Sequence, residues 1–274
     1  MISYRQMEAR DLARVLDWAA EEGWNPGHGD AAAFHAADPG GFFLAEEDGA
    51  PVAAISVVNH GADFAFLGLY LCRPSHRGLG IGFDLWTHAL ARAGGRTVGL
   101  DGVPAQQENY ARSGFVLAGG TARSGGQVQG AVHEAVRSAR PAELPAFVAA
   151  EGMASGVVKP DYLGRWLRGD DTRVTLVAEA PLGFGFATVR QCREGAKIGP
   201  LLAETVETAE ALIRHAATLY PGPVFLDVPE RSAPLAELCG RLGLAEGFRT
   251  ARMYRGRPVI QTADIFAVTS LELG

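Results

Sequence analysis

Residues 77–82 have the composition of a phosphate-binding loop. Arg77-Gly78-Leu79-Gly80-Ile81-Gly82 places three glycines within five residues, directly after an arginine. Glycines leave the backbone N–H groups of a loop accessible, and such groups attract anions when they stand at the start of a helix. The sequence therefore predicts that this loop holds a phosphate or a pyrophosphate.

The segments on either side position the loop between a strand and a helix. Phe66–Cys72 is an apolar run of strand length, and Pro74 should end this strand because proline donates no hydrogen bond to a sheet. After the loop, apolar residues recur at helical spacing from Phe83 to Ala93. The predicted order is strand, glycine loop and helix.

Two interpretations of the loop compete. A dinucleotide fingerprint requires Gly-x-Gly-x-x-Gly after the first strand of a parallel unit. Here the sixth position is Phe83, and several predicted strands precede the loop. The other interpretation is acyl-CoA binding, whose pattern Arg-x-x-Gly-x-Gly is met by Arg77, Gly80 and Gly82.

Two motifs in this order make the chain resemble the GNAT superfamily of N-acetyltransferases over about residues 1–120. The first motif runs from Arg73-Pro74 through the glycine loop, and the second is Tyr110-x-x-x-Gly114-Phe115. The resemblance implies acetyl-CoA as the co-substrate, with a backbone N–H near the end of the strand polarising the thioester carbonyl. The residues expected to bind acetyl-CoA are Leu71, Cys72, Arg77, Gly78, Leu79, Gly80, Ile81, Gly82 and Tyr110.

The second half of the chain repeats the first about 130 residues further along. Leu100-Asp101-Gly102 corresponds to Leu226-Asp227-Val228, and Phe43–Glu46 corresponds to Leu176–Glu179. We therefore predict an α/β (α+β) protein of two GNAT-like domains, residues 1–128 and 129–274, joined around residues 125–133. Each domain should have a mixed, mostly antiparallel central sheet flanked by helices.

The two copies differ at the loop. The second copy has Ala203–Glu210 in its place, where three glutamates would repel a phosphate. Cys239 stands where the first copy has Tyr110. We predict one acetyl-CoA site, in the first domain, and a second domain that shapes the acceptor pocket. This arrangement is similar to tandem GNAT proteins with a degenerate C-terminal domain.

Acetyl transfer to an amine needs a base for the amine and an acid for the leaving thiolate. The resemblance implies that Tyr110 is the acid, although it could instead only pack on its helix. The strand Phe66–Cys72 lacks the carboxylate that many GNAT enzymes use as the base. Asp101, on the next strand, is the best carboxylate available, but Asp227 at the same place in the second copy is consistent with a structural role. A water chain could also serve.

The acceptor pocket is expected across the strands from the pantetheine arm. Glu22, Trp24 and Asn25, with His28 nearby, are candidates in an early loop, and Tyr70 is a candidate on the strand. An acidic or aromatic lining suits a cationic amine. The expected activity is N-acetylation of a small-molecule amine. The alternative is a non-catalytic acyl-CoA sensor or adaptor.

Composition limits the partners and the location. A net charge of −6 argues against nucleic acid as the main partner. No apolar run approaches the length of a membrane span, and charges within the first fifteen residues are unlike a signal peptide, so we expect a cytoplasmic protein. Three widely spaced cysteines form no CxxC pair, so no metal site is expected.

Overall fold

The computed structural model describes residues 1–274 as two successive runs of strands and helices in the same order. The first run comprises β1 (Ile2–Gln6), α1 (Ala9–Glu21), α2 (Asp30–Ala37), β2 (Phe42–Glu47), β3 (Ala50–His60), β4 (Phe64–Cys72), α3 (Ile81–Leu90), β5 (Thr97–Gly102), α4 (Gln107–Arg112) and β6 (Val116–Gly126). The second comprises β7 (Val136–Ser138), α5 (Leu144–Ser155), α6 (Pro160–Arg168), β8 (Arg173–Ala178), β9 (Gly185–Gln191), β10 (Ala196–Ala203), α7 (Val206–Ala216), β11 (Val224–Pro229), α8 (Ala233–Arg241), β12 (Ala245–Arg255) and β13 (Phe266–Ala267).

Local sequence explains the elements that lead to the glycine loop. The turn between β2 and β3 has positive φ at Asp48 (51°) and Gly49 (81°), as a tight hairpin turn requires. The next strand, β4, ends at Cys72, just before Arg73-Pro74. The helix α3 starts at Ile81, within the glycine loop. The predicted order of strand, loop and helix is confirmed.

The strands form one continuous mixed sheet in the order β1-β2-β3-β4-β5-β12-β6-β11-β10-β9-β8-β7, with β13 on β10. Only β4 with β5 and β10 with β11 pair in parallel, so the sheet is mostly antiparallel, as predicted. The separate sheets expected for the two domains are instead joined edge to edge at the centre.

Each half of the chain gives one strand to the other half. β6, at the end of the first half, pairs with β11, whereas β12, in the second half, pairs with β5. These two exchanged strands also pair with each other. The sheet is therefore continuous across the predicted domain boundary after residue 128. Gly125 and Gly126, which were predicted to lie in the connection between the domains, belong to β6.

Two ion pairs with buried carboxylates hold the exchanged strands in register, and the Arg252 side chain is 20% exposed whereas that of Arg123 is 9% exposed. Arg252 on β12 donates two hydrogen bonds, of 2.9 and 2.6 Å, to the carboxylate of Asp101 on β5. Arg123 on β6 makes the equivalent bonds, of 2.7 and 2.9 Å, to Asp227 on β11. Bidentate pairing of this kind is strong and directional, so it specifies which residues stand opposite each other.

Helices from the two halves pack on each other beside the sheet. Phe34 of α2 stacks on Trp166 of α6, with 5.9 Å between the ring centroids. Both rings belong to a buried apolar cluster that draws residues from both halves, including Leu12 of α1 and Leu163 of α6. None of the eight helices combines the length and the hydrophobicity that crossing a membrane requires.

Residues 266–274, here called the tail, run between the two halves. The tail begins with β13, and all but one of its residues are buried. Side chains from both halves hold it, because Tyr162 donates to Ser270 Oγ (3.0 Å) and His60 Nε2 lies 2.9 Å from the carbonyl oxygen of Leu273. The tail is therefore part of the core between the halves.

Replacing Asp101 or Asp227 with Asn should lower the free energy of unfolding by about 3–5 kcal/mol, because each change leaves a buried arginine uncompensated. The two costs should be similar, since the two pairs are equivalent in the fold. Denaturant unfolding measures both. The double variant Asp101→Leu/Arg252→Met should recover most of the loss, because it leaves no unpaired charge. A cost within about 1 kcal/mol, as at exposed pairs, would contradict the role given to these contacts.

Candidate active site

A cleft opens where β4 and β5 diverge. The two strands pair only over Phe64–Leu67 and Thr97–Leu100. Beyond this point β4 bulges against β3, and Leu69 in the bulge has a φ of 46° although its side chain is buried. A positive φ is strained for a branched side chain, and such strain is concentrated at functional sites. The bulge leaves the edge of β4 that faces β5 without a strand partner.

The cleft contains a cavity of about 490 Å³. It brings together most of the residues that the sequence predicted for the site. Those that line it are Glu22, Trp24, Tyr70, Leu71, Cys72, Arg77, Gly78, Gly80, Gly82, Asp101 and Tyr110.

The glycine loop forms one wall of the cavity. Gly78 and Gly80 have φ of 78° and 83°, and a Cβ at either position would meet no atom within 4 Å. Gly80 is the N-cap of α3, and no side chain caps this helix. Its first N–H groups are therefore available to an anion. Of the predicted loop residues, Leu79 points to solvent and Ile81 into the core, so only their backbone belongs to the site.

The corresponding place in the second half is closed. The hydroxyl of Thr205 caps α7 by accepting from the N–H of Thr208 (3.1 Å), and Glu204 accepts from the N–H of Phe184 (2.9 Å). The gap between β10 and β11 is occupied by the tail, since Phe266–Ala267 pairs with β10 and Val268 donates to a carbonyl of β11. The second cleft therefore has neither a free helix end nor space between its strands.

Tyr110 lies at the junction of cavity and core. Its ring stacks on Trp86 at 5.5 Å, and Trp86 in turn meets Tyr70 edge-on at 5.3 Å. Gly102 allows this position, because a Cβ there would lie 2.3 Å from the Tyr110 ring. Burial raises the pKa of the Tyr110 hydroxyl, so the group stays protonated at neutral pH and can donate a proton.

Asp101 does not have the geometry of a free base. Its side chain is completely buried, and both oxygens accept hydrogen bonds from Arg252. Burial raises the pKa of Asp101 while the guanidinium opposes this shift. Asp227 makes the equivalent pair with Arg123, so this geometry favours a structural role for Asp101, at the exchanged strand, over its predicted role as the base.

The early loop contributes less to the acceptor side than the sequence suggested. Trp24 lines the cavity, as does Glu22, but the carboxylate of Glu22 is paired with Arg77. Asn25 lies outside the cavity, because its amide donates to the carbonyl oxygen of Glu194 (2.8 Å) and accepts from the same residue's N–H (2.9 Å). Asn25 thus joins the two halves instead of lining the cavity, and His28 is exposed outside the cavity.

Sequence reasoning missed the residues that the second half and the exchanged strands bring to the cavity. The cavity residues from β6, β12 and the tail are Arg123, Phe248, Thr250, Leu271 and Glu272. No spacing along the chain connects them with the glycine loop, since they arrive only through the strand exchange. The one available signal was a single carboxylate between two leucines, in Leu271-Glu272-Leu273.

Comparison with known families and proteins gives consistent matches. Residues 9–115 match the acetyltransferase (GNAT) family, and residues 148–267 match an acetyltransferase (GNAT) domain. The chain is 32% identical over 265 residues to a holothin acyltransferase of Pseudoalteromonas sp. (strain SANK 73390). This match covers 95% of the chain and 90% of that protein.

Solved structures share the fold at lower identity. A crystal structure from Pyrococcus horikoshii superposes with a TM-score of 0.85 at 20% identity and covers 100% of this chain and 96% of that one. A tandem GNAT protein from the clavulanic acid biosynthesis pathway superposes with a TM-score of 0.60 at 17% identity and covers 94% and 100%. The two-domain arrangement is therefore shared with other tandem proteins.

Proposed function

The chain belongs to the GNAT acetyltransferase family and is an acyltransferase with two GNAT domains, and we propose that it transfers an acetyl group from acetyl-CoA to the amine of a small molecule. The observation that carries this proposal is a single cavity that joins an uncapped, glycine-rich helix start to a pocket covered by the second half.

The residues around the cleft fit acetyl-CoA. The loop Arg77–Gly82 would hold the pyrophosphate, because Gly78 and Gly80 leave open space at a helix N-terminus. The open edge of β4 at Leu71 and Cys72 would face the thioester. Acetyl-CoA supplies the acyl group in activated form, and the protein supplies binding, orientation and proton transfer.

One acetyl-CoA site, in the first half, is the arrangement that these contacts favour. The start of α7 is capped by Thr205, and the tail fills the gap between β10 and β11. Negative charge at Glu204 and Glu207 adds electrostatic repulsion toward phosphate. The second half would therefore contribute walls to the acceptor pocket rather than a second co-substrate.

A small acceptor suits this pocket better than a protein segment. Phe248, Thr250 and the tail cover the side of the cavity opposite the glycine loop, and Trp24 and Tyr70 give it an aromatic lining. A volume of about 490 Å³ is in the range of small-molecule sites. Because a relative of 32% identity is a holothin acyltransferase, holothin belongs among the first acceptors to test.

Tyr110 is the group we assign to protonating the leaving thiolate. Tyr110 lines the cavity, and the burial that raises the pKa of its hydroxyl keeps the proton on the oxygen at neutral pH. Proton donation in the transition state stabilises the charge that develops on the sulfur.

Turnover of a small molecule is the direct test of the function. Purified full-length protein is incubated with acetyl-CoA and a panel of amino acids, polyamines and holothin, while free thiol is followed and the product mass is determined. We expect thiol release and an acetylated product with at least one acceptor. Bound CoA without turnover on any acceptor would instead favour a non-catalytic acyl-CoA sensor.

Gly80→Asp should weaken CoA binding by about two orders of magnitude, because it places a carboxylate where the phosphate would lie. Gly243→Asp is the matched control, since Gly243 has nearly the same φ (79°) and equally open surroundings. Both changes should cost about 1–2 kcal/mol of backbone strain. Calorimetric titration with CoA separates the effects, and equal loss of binding in both variants would contradict a site at this loop.

Tyr110→Phe should reduce kcat by about 10²-fold while leaving the affinity for acetyl-CoA almost unchanged, because only the proton donor is removed. Tyr220→Phe, a partly buried tyrosine in the second half outside the cavity, is the control. Steady-state kinetics measures both variants. A Tyr110→Phe enzyme with the wild-type kcat would show that the tyrosine only packs.

A further inference from the structure

We propose that Glu272, on the tail, is the general base that removes the proton from the acceptor amine. The inference rests on the acetyl transfer proposed above and assigns its missing proton acceptor. The base would come neither from β4, which has no carboxylate, nor from Asp101, but from the tail in the second half.

Glu272 reaches the same cavity as the glycine loop and Tyr110. The cavity wall includes both Glu272 and its neighbour Leu271. The tail passes against β4 at Gly68, where a Cβ would lie 2.0 Å from the carbonyl oxygen of Glu272. Only a glycine allows this approach. Gly68 therefore lets the tail lie directly against β4, beside the strained bulge at Leu69.

The carboxylate of Glu272 has no partner in the protein. The residue is 6% exposed, and its Oε2 atom is buried without a hydrogen bond. Leaving a buried carboxylate oxygen unpaired is costly, and native structures retain such groups where they have a function. An N–H of a bound acceptor would supply the missing hydrogen bond.

The neighbouring charged groups are committed elsewhere. Arg123 is paired with Asp227, Arg190 with Asp30, and Asp101 with Arg252. The buried ammonium of Lys197 donates to the carbonyl oxygen of Trp24 at 2.8 Å. Among the carboxylates that line the cavity, Asp101 and Glu22 are each in an ion pair, so Glu272 is the one that remains free to accept a proton.

The tail is fixed firmly enough to position a catalytic group. Val268 donates to Asp227, Tyr162 bonds Ser270, and Lys159 donates to the carbonyl oxygen of Gly274 at 2.9 Å. These contacts lie on both sides of Glu272, and the first half adds one more, because His60 Nε2 lies 2.9 Å from the carbonyl oxygen of Leu273. Preorganisation of this kind is what proton transfer in the transition state requires.

The transfer balances with these two groups. The amine nitrogen attacks the thioester carbonyl carbon, forming the C–N bond, while its proton moves to the carboxylate of Glu272. As the tetrahedral intermediate collapses, the C–S bond breaks and the sulfur takes the proton of Tyr110. Water then carries the proton from Glu272 to the tyrosine, which restores both groups. Overall, the amine loses one proton and the CoA sulfur gains one.

Glu272→Gln keeps the shape of the side chain and removes the base. With the acceptor that gives the highest turnover, kcat should fall by about 10²-fold or more, and the acidic limb of the pH profile of kcat/KM should flatten. Binding of CoA, measured by calorimetry on the same preparation, should be unchanged and shows that the variant is folded. Glu237→Gln, an exposed glutamate on α8, is the control and should behave as wild type.

Chemical rescue provides a second, independent measurement. In Glu272→Gly, added formate should restore activity in proportion to its concentration, which a merely structural role would not allow. A Glu272→Gln enzyme that keeps its kcat within about threefold, or that shows only a raised KM, would overturn the proposal, since the carboxylate would then only bind the acceptor. A wild-type enzyme without turnover on any amine would defeat the proposed function itself, and with it this role.

Discussion

The exchange of β6 and β12 between the two halves, held by two arginine–aspartate pairs with buried carboxylates, is the constraint on which the rest of this structure depends. Arg252 and Asp101 are 151 residues apart in the chain, and Arg123 and Asp227 are 104 apart. Burying either charge alone would be strongly unfavourable, so each pair requires the strand of the other half to be in place. Neither half completes its own sheet, which makes the two halves one folding and functional unit.

The same exchange makes the active site composite. The glycine loop, the open edge of β4 and Tyr110 come from the first half, while Phe248, Thr250 and the tail come from the second. The tail has two effects, because it fills the cleft of the second half at β13 and then lines the cleft of the first half. One short segment thus accounts both for the closed second cleft and for the covered acceptor side.

The sequence predicted well wherever the signal is local. The strand, glycine loop and helix, the mixed sheet and the repeat were all visible in spacing and residue type. The roles of the individual carboxylates were not visible in this way. Asp101 was the best candidate by position along the chain, yet its partner Arg252 is distant in sequence, and Glu272 carries no motif that connects it with the loop. A side chain's role as base or ion-pair partner depends on what lies opposite, which no local pattern records.

By itself the sequence determined the architecture of each half and the place of the glycine loop, because glycine, proline and apolar periodicity act on the backbone within a few residues. Only the tertiary structure decided which half lends which strand, which carboxylates are neutralised and which remains unpaired. These outcomes depend on contacts across more than a hundred residues, as the arginine–aspartate pairs show. Burial then decides the chemistry, since it makes a partner obligatory for Asp101 and leaves Glu272 without one at the wall of the cavity.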